Sequence, residues 1–230
     1  MSRSISREGR ERAAGAPAPA AIVASELEEL YPHARTELDH RDALELLVAT
    51  VLSAQTTDVR VNQVTPELFS RWPDAASLAG ADEDEVTAVV RPLGMGATRA
   101  RRIIGLAQGL LERHGGEVPD DQAHLEALPG VGRKTAHVVR GTWFGHPLLA
   151  VDTHVGRVTR RLGWTARTEP RAVEEDVVAQ VARHGAGTAA EDLTVLSLRL
   201  ILHGRRVCTA RSPRCGECVL QPSCPQVGAA

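Results

Sequence analysis

Leu128-Pro129-Gly130-Val131-Gly132-Arg133-Lys134-Thr135-Ala136 joins two helical segments, and its reading decides the fold. Just upstream, Asp120 or Asp121 is placed to cap a first helix whose buried side is Leu125 and Leu128. Pro129 ends that helix, and the two glycines allow backbone angles that a side chain would forbid. A second helix opens directly after Gly132. The turn therefore leaves backbone N–H groups at a positive dipole end, which suits a phosphate. A plain helix-to-helix turn has the same short signature.

Outward from this turn the apolar spacing stays helical. Leu44, Leu47, Val48, Val51 and Leu52 share one helix face. Asp82 caps a helix carrying Val86, Val89 and Val90, which Pro92 stops. Ile103, Ile104, Ala107, Leu110 and Leu111 mark another, with Gly115 and Gly116 as its exit. Val173, Val177, Val178 and Val181 give one more, closing near Gly185. Leu193 to Leu202 is apolar almost all round, and its length with a His203-Gly204 stop favours a helix over a strand. No alternating run, hairpin pair or internal repeat is present. The expected fold class is all-α.

At 230 residues and 43% hydrophobic the chain is large enough for real cores, but aromatics are only 3%, so aliphatic residues must do the packing. No apolar run approaches the ~18 residues that would suggest a membrane span. Met1 to Ala20 lacks the apolar centre of a signal peptide and reads as a disordered tail, so a cytoplasmic protein is expected. The net charge of −2 hides local segregation. Acids gather at Glu26, Glu28 and Glu29, at Asp82 to Glu85, at Glu174 to Asp176, and at Glu191 and Asp192. Bases gather at Arg99, Arg101 and Arg102, at Arg133 and Lys134, at Arg157, Arg160 and Arg161, and from Arg205 to Arg214. Such runs are equally the pattern of solvated faces.

Among the 27 Lys and Arg residues, Lys134 is the single lysine. In a chain so biased toward arginine, a surviving lysine suggests a task that arginine cannot do. An arginine stays protonated, whereas a lysine amine can lose its proton and act as a nucleophile. Lys134 falls in the first turn of the helix after the hairpin, where the dipole disfavours an ammonium, and partial burial is expected to disfavour it further. Downstream, Val151-Asp152-Thr153-His154-Val155 enters a helix carrying Val158 and Leu162, with Asp152 as N-cap. Capping holds a carboxylate ionised and fixes its direction, so it is compatible with a catalytic role. All four cysteines lie between 208 and 224, with six, two and five residues separating Cys208, Cys215, Cys218 and Cys224. Nothing suggests secretion, which argues against disulfides; zinc and an iron–sulfur cluster remain.

Leu128 to Val139 followed by Ala150 to Arg160 resembles the active-site region of the endonuclease III family. Leu52-Ser53-Ala54-Gln55-Thr56-Thr57-Asp58 is similar to a helix end of the same family, and the likeness runs from about Ala24 to Cys224. The resemblance implies two helical lobes: a six-helix helix–hairpin–helix domain over 36–146, and a cluster domain of 21–35 with 147–230. It implies that Leu128, Gly130, Val131 and Gly132 hold the DNA backbone without reading sequence. Lys134 and Asp152 fall on the family's nucleophile and second catalytic residue. The cysteine spacing matches the family's loop for one four-iron, four-sulfur cluster, within which Arg211 and Arg214 are placed to meet phosphate. Gln55 falls on the residue that fills the gap left by a flipped nucleotide. Met95, in Leu93-Gly94-Met95, stands where a wedge leucine is usual, and His137 stands where asparagine is usual. Asp58 and His154 fall at the lesion pocket. The implied function is a monomeric, bacterial-type DNA glycosylase with abasic-site lyase activity, acting on oxidised pyrimidines in damaged double-stranded DNA. The competing readings are a mismatch glycosylase of the adenine type, which typically lacks the lysine, and a non-enzymatic DNA-binding module.

Overall fold

The computed structural model describes residues 15–184 and 193–229, and among these every regular element is helical. The helices are α1 (Ala20–Leu30), α2 (Ala43–Leu52), α3 (Asp58–Arg71), α4 (Ala75–Ala79), α5 (Glu83–Val90), α6 (Gly96–His114), α7 (Gln122–Glu126), α8 (Arg133–Thr142), α9 (Thr153–Arg161), α10 (Pro170–His184) and α11 (Leu193–Arg206). No helix is long and apolar enough to cross a membrane, among the described residues.

Local chemistry sets most boundaries. Asp42, Asp74, Asp82, Asp121 and Asp152 each accept a backbone N–H in the first turn of the helix that follows, and Thr57 does the same for α3. Gly115, in the left-handed region at φ +63°, closes α6. The expected stop at His203-Gly204 is not a stop, because α11 runs on to Arg206. Gly204 serves packing instead: a Cβ there would sit 2.9 Å from His154 Cβ, so the glycine lets α9 and α11 approach.

Two hydrophobic cores result. The first runs from Leu38 to Val139 and gathers α2 to α8. The second joins α1 to α9, α10 and α11, with Leu220 from the C-terminal loop. The chain thus starts in the second core, crosses to the first through residues 31–42, and returns through 143–152. The expected tail is shorter than Met1 to Ala20. Ala18 and Ala20 are buried, Ala18 N–H donates to Leu162 O at 2.9 Å, and Trp164 Nε1 donates to Ala18 O at 2.6 Å. The remaining expectation for 1–14, the stop near Gly185 and the acids Glu191 and Asp192 lie outside the described residues.

The cores meet where α8 approaches α11. A Cβ on Gly141 would lie 2.5 Å from Thr194 Oγ1, a hydroxyl already committed to the His146 and Leu148 carbonyls at 2.8 and 3.0 Å. Gly141→Ala should therefore overpack this seam and lower unfolding free energy by about 1–3 kcal/mol, read as a reduced urea midpoint at unchanged slope.

Candidate active-site cleft and iron–sulfur centre

A cleft between the two cores is lined by Lys134 and Val138 of α8, Asp152 at the start of α9, Asp58 at the start of α3, and Leu198, Ile201, Leu202 and Arg205 of α11. Arg35, Thr36, Glu37 and Leu38, from the crossing segment, complete it with Thr50 and Ser53. The lone lysine and the Val-Asp-Thr-His aspartate, eighteen positions apart in sequence, thus share one cavity. Lys134 is exposed, so the expected partial burial is not found; the cleft is open on its side. Asp152 Oδ1 accepts from His154 N and Val155 N, both at 2.8 Å. That oxygen is fully used by the cap. Oδ2 takes no donor among the described residues.

Arg205 escaped the sequence reading except as one charge in a basic run. Its guanidinium donates to Asp58 Oδ2 at 3.0 Å and to Glu37, tying α11 of the second core to α3 and the crossing segment. Burial works to lower its pKa, but the Asp58 and Glu37 carboxylates outweigh that and hold it above the ordinary arginine value. The partners lie 147 and 168 positions away, so no local pattern could have revealed them. His154 is not among the cleft-lining residues. Its Nδ1 accepts from Arg157 Nη2 at 3.1 Å, and the ring packs on Gly204. Burial pushes its pKa below the ordinary histidine value, against the pull of Asp152. Of the two residues expected at a lesion pocket, Asp58 lines this cleft and His154 does not.

In the hairpin, Leu128 and Val131 are core side chains rather than surface ones. Val131 N–H is spent on Leu128 O at 3.1 Å, which closes the turn. Gly130 has φ +80° and would place a Cβ 3.3 Å from Val51 Cγ1. Gly132 differs from the expectation for both glycines: its φ is −107°, which any residue adopts, and nothing lies within 4 Å of a Cβ there. It is the N-cap of α8 and offers no side-chain cap, so the first N–H groups of that helix stay open to solvent. Gln55 and Met95 are both exposed and both left-handed, at φ +60° and +52°. Arg211 is exposed. Arg214 is exposed too, yet it bonds the Arg206 carbonyl and faces Glu217 at 3.7 Å, so it also braces its own loop.

His137 is buried on α8, with Nδ1–H donating to Leu149 O at 3.0 Å and lying 3.8 Å from Glu174 of α10. Arg133 grips the same carboxylate with two nitrogens, at 2.9 and 3.0 Å. The histidine in the place of asparagine is therefore an interlobe tie.

The four cysteines line one cavity with Val158, Leu162, Val207 and Leu220. All four are free thiols. Among the described residues no three His, Cys, Asp or Glu side chains converge where a single ion could be held. Four thiols spread around one cavity suit a group wider than a lone zinc ion. Hydrogen-bond donors surround the sulfurs. Arg161 Nη1 lies 3.3 Å from Cys208 Sγ, Gln226 N 3.4 Å from Cys224 Sγ, and His203 Nε2 3.4 Å from Cys218 Sγ. Burial pushes His203 down to about 4 and pushes the Cys218 and Cys224 thiols up, so their thiolates form against a positive group.

An all-helical chain with this hairpin and cleft belongs to a recognisable class. Residues 48–182 match the HhH-GPD superfamily of base excision DNA repair proteins, and residues 208–224 match the iron–sulfur binding domain of endonuclease III. Endonuclease III of Synechocystis is 44% identical over 206 residues, covering 88% of this chain and 90% of that protein. Endonuclease III of Escherichia coli K12 is 42% identical, covering 88% and 92%. A solved structure of a trapped endonuclease III–DNA covalent intermediate superposes with a TM-score of 0.80 at 38% identity, covering 88% of this chain and 92% of that one. The chain belongs to the endonuclease III family. It is a DNA glycosylase and abasic-site lyase with an iron–sulfur cluster.

The two hairpin glycines predict opposite phenotypes. Gly130→Ala should destabilise the fold by about 1 kcal/mol or more, because it forces a side chain into a left-handed position. Gly132→Ala should leave the melting temperature nearly unchanged and weaken duplex binding, measured by fluorescence anisotropy, because its Cβ would stand between backbone N–H groups and phosphate.

Proposed function

We propose that the chain excises oxidised pyrimidines from damaged double-stranded DNA and then cuts the strand at the abasic site, using Lys134 as nucleophile and Asp152 as its carboxylate partner. The observation that carries this reading is the convergence of the only lysine and the capped aspartate on one interlobe cleft. The damaged nucleotide leaves the base stack and enters that cleft. The neutral amine of Lys134 bonds to the sugar C1′ as the bond to the base breaks, and the base leaves with a proton. Asp152 Oδ2 stabilises the positive charge that develops on the sugar and assists proton transfer. The sugar ring then opens: the C1′–O4′ bond breaks, O4′ takes up a proton, and the nitrogen lone pair forms the C1′=N bond of a protonated imine. That imine acidifies C2′; loss of the C2′ proton expels the 3′ phosphate, which is β-elimination on the 3′ side.

The rest of the site serves positioning. The hairpin at Leu128–Gly132 and the exposed Arg211 and Arg214 hold phosphates, while Gln55 and Met95 occupy the space left by the flipped nucleotide. Asp58, paired with Arg205, borders the lesion. Cys208, Cys215, Cys218 and Cys224 hold the four-iron, four-sulfur cluster. Bound there, such a group would supply iron–thiolate bonds that tie the C-terminal loop to α9 and α11. The reading keeps a helix–hairpin–helix domain over 36–146 and a cluster domain of 21–35 with 147–230; the core from Leu38 to Val139 and the core that joins Ala18–Tyr31 to Leu149–Leu220 support it. An adenine-type glycosylase or a purely binding module would have no use for the Lys134–Asp152 pairing.

The test separates the two steps on a thymine-glycol duplex and on a preformed abasic duplex. Lys134→Arg keeps the charge and loses the nucleophile, so strand cleavage of both should vanish while duplex affinity stays within a few-fold. Asp152→Asn keeps an oxygen for the cap and loses the negative charge. It should slow base excision by about 10²-fold or more while cleavage of the abasic duplex persists. Loss of abasic cleavage with unaffected base excision in Asp152→Asn would contradict the assigned roles.

A further inference from the structure

Gln55 and Met95 stand in two turns of different origin. The first follows α2 through Ser53 and Ala54; the second follows a 3-10 turn at Arg91–Leu93 and opens α6. Both residues adopt the left-handed conformation, which a side chain populates at a cost of about 1–2 kcal/mol. Strain of this kind persists only when the surroundings over-determine it.

Besides the backbone bonds within each turn, one buried side chain holds both turns. Arg99, on the second turn of α6, is 3% exposed. Its Nη1 donates to Leu52 O at 2.5 Å and its Nη2 to Ala54 O at 2.8 Å, which caps the carbonyl end of α2. Its Nε donates to Gly94 O at 2.8 Å, and Nη2 lies 3.4 Å from Leu93 O. No carboxylate lies within ion-pair distance of it among the described residues, so carbonyl dipoles alone compensate the buried charge. All four of its acceptors lie within three residues of the two left-handed residues. A planar fork with fixed donor directions links them, and neither turn can move without breaking bonds to the same group.

We propose that Arg99 is a positioning residue that joins the Gln55 and Met95 turns into one rigid wedge, so that both side chains enter the duplex together. This rests on the wedge reading of the two residues given above. Entry as a unit means that losing either side chain costs the wedge most of its effect. It also explains how Met95, a flexible residue in place of leucine, is aimed: the turn that carries it is held from the far side.

The test is a double-mutant cycle in the cluster-loaded full chain. Gln55→Ala, Met95→Ala and the double variant are compared for unstacking of 2-aminopurine beside a tetrahydrofuran abasic analogue, and for the excision rate at saturating DNA. In the parent chain the fold-losses of the two single variants should not multiply, and the double variant should resemble the worse single one. In an Arg99→Met background, which preserves apolar volume and removes the fork, the losses should multiply independently. Arg99→Lys keeps the cation without the fork and should uncouple the turns as well; it decides the matter by the same criterion where Arg99→Met fails to fold. Losses that already multiply in the parent chain, or coupling that survives both replacements, would overturn the proposal alone. Two single variants with no effect would overturn the wedge reading, and the proposal with it.

Discussion

The hydrogen bond from His137 Nδ1–H to Leu149 O, 3.0 Å long, ties the helix that carries Lys134 to the segment that carries Asp152. The helix that carries the amine packs into the first core through Ala136 and Val139, and the helix that the carboxylate caps packs into the second through Val155 and Val158, so no single core fixes their separation. The seam does. His137 lies one helical turn beyond Lys134, and Leu149 lies three residues before Asp152, so this bond links the two segments close to both residues. Arg133 and Glu174 reinforce it on the solvent side, and the close approach of Gly141 to Thr194 does so further along α8. At the opposite mouth of the cleft, the Arg205 bonds to Asp58 and Glu37 close a second interlobe link. Positioning of this kind is what an enzyme needs when reacting groups are supplied by separate bodies, because small misplacements cost large factors in rate.

Within that frame, individual groups serve folding with one face and function with the other. Asp152 commits Oδ1 to the first turn of α9 and leaves Oδ2 for the cleft. Gly132 caps α8 with bare backbone, where a serine or aspartate would give a more stable helix start, so that the first N–H groups stay available to an anion. Gln55 and Met95 hold strained angles that a glycine would relieve. Each is a small loss of stability at a position where the fold alone would favour another residue.

How much of this was legible in the sequence follows from the range of each interaction. Caps are local, so Asp82, Asp121 and Asp152 mark their helices, and the apolar spacing of Leu47–Leu52 and Ile103–Leu110 marks buried faces, whereas Leu111, expected on the same face, is exposed. Long-range pairs leave no such trace. Arg205 finds partners 147 and 168 positions away, and Arg99 was one charge in a basic run although it is buried among the carbonyls of residues up to 47 positions distant. The Gly204 misreading has the same root: a glycine that admits a neighbouring helix looks identical, in one dimension, to one that ends its own. The family resemblance places His154 at a lesion pocket, while here the helix turns its ring toward Gly204 and Arg157. Ala18 falls in the expected tail because it carries no periodicity, while its burial depends on Leu162 and Trp164 far along the chain.

The central claim is that one amine in this chain forms the covalent bond to DNA. Lys134 is the only lysine, and the N-terminal amine is its sole competitor. The most direct measurement is reduction with borohydride during reaction on an abasic duplex, followed by proteolysis and mass spectrometry of the cross-linked peptide. A nucleotide adduct on the peptide containing Lys134, absent from Lys134→Arg, is the predicted result. A covalent adduct that forms at wild-type level in Lys134→Arg, or that maps to the N-terminal residue, would contradict the account.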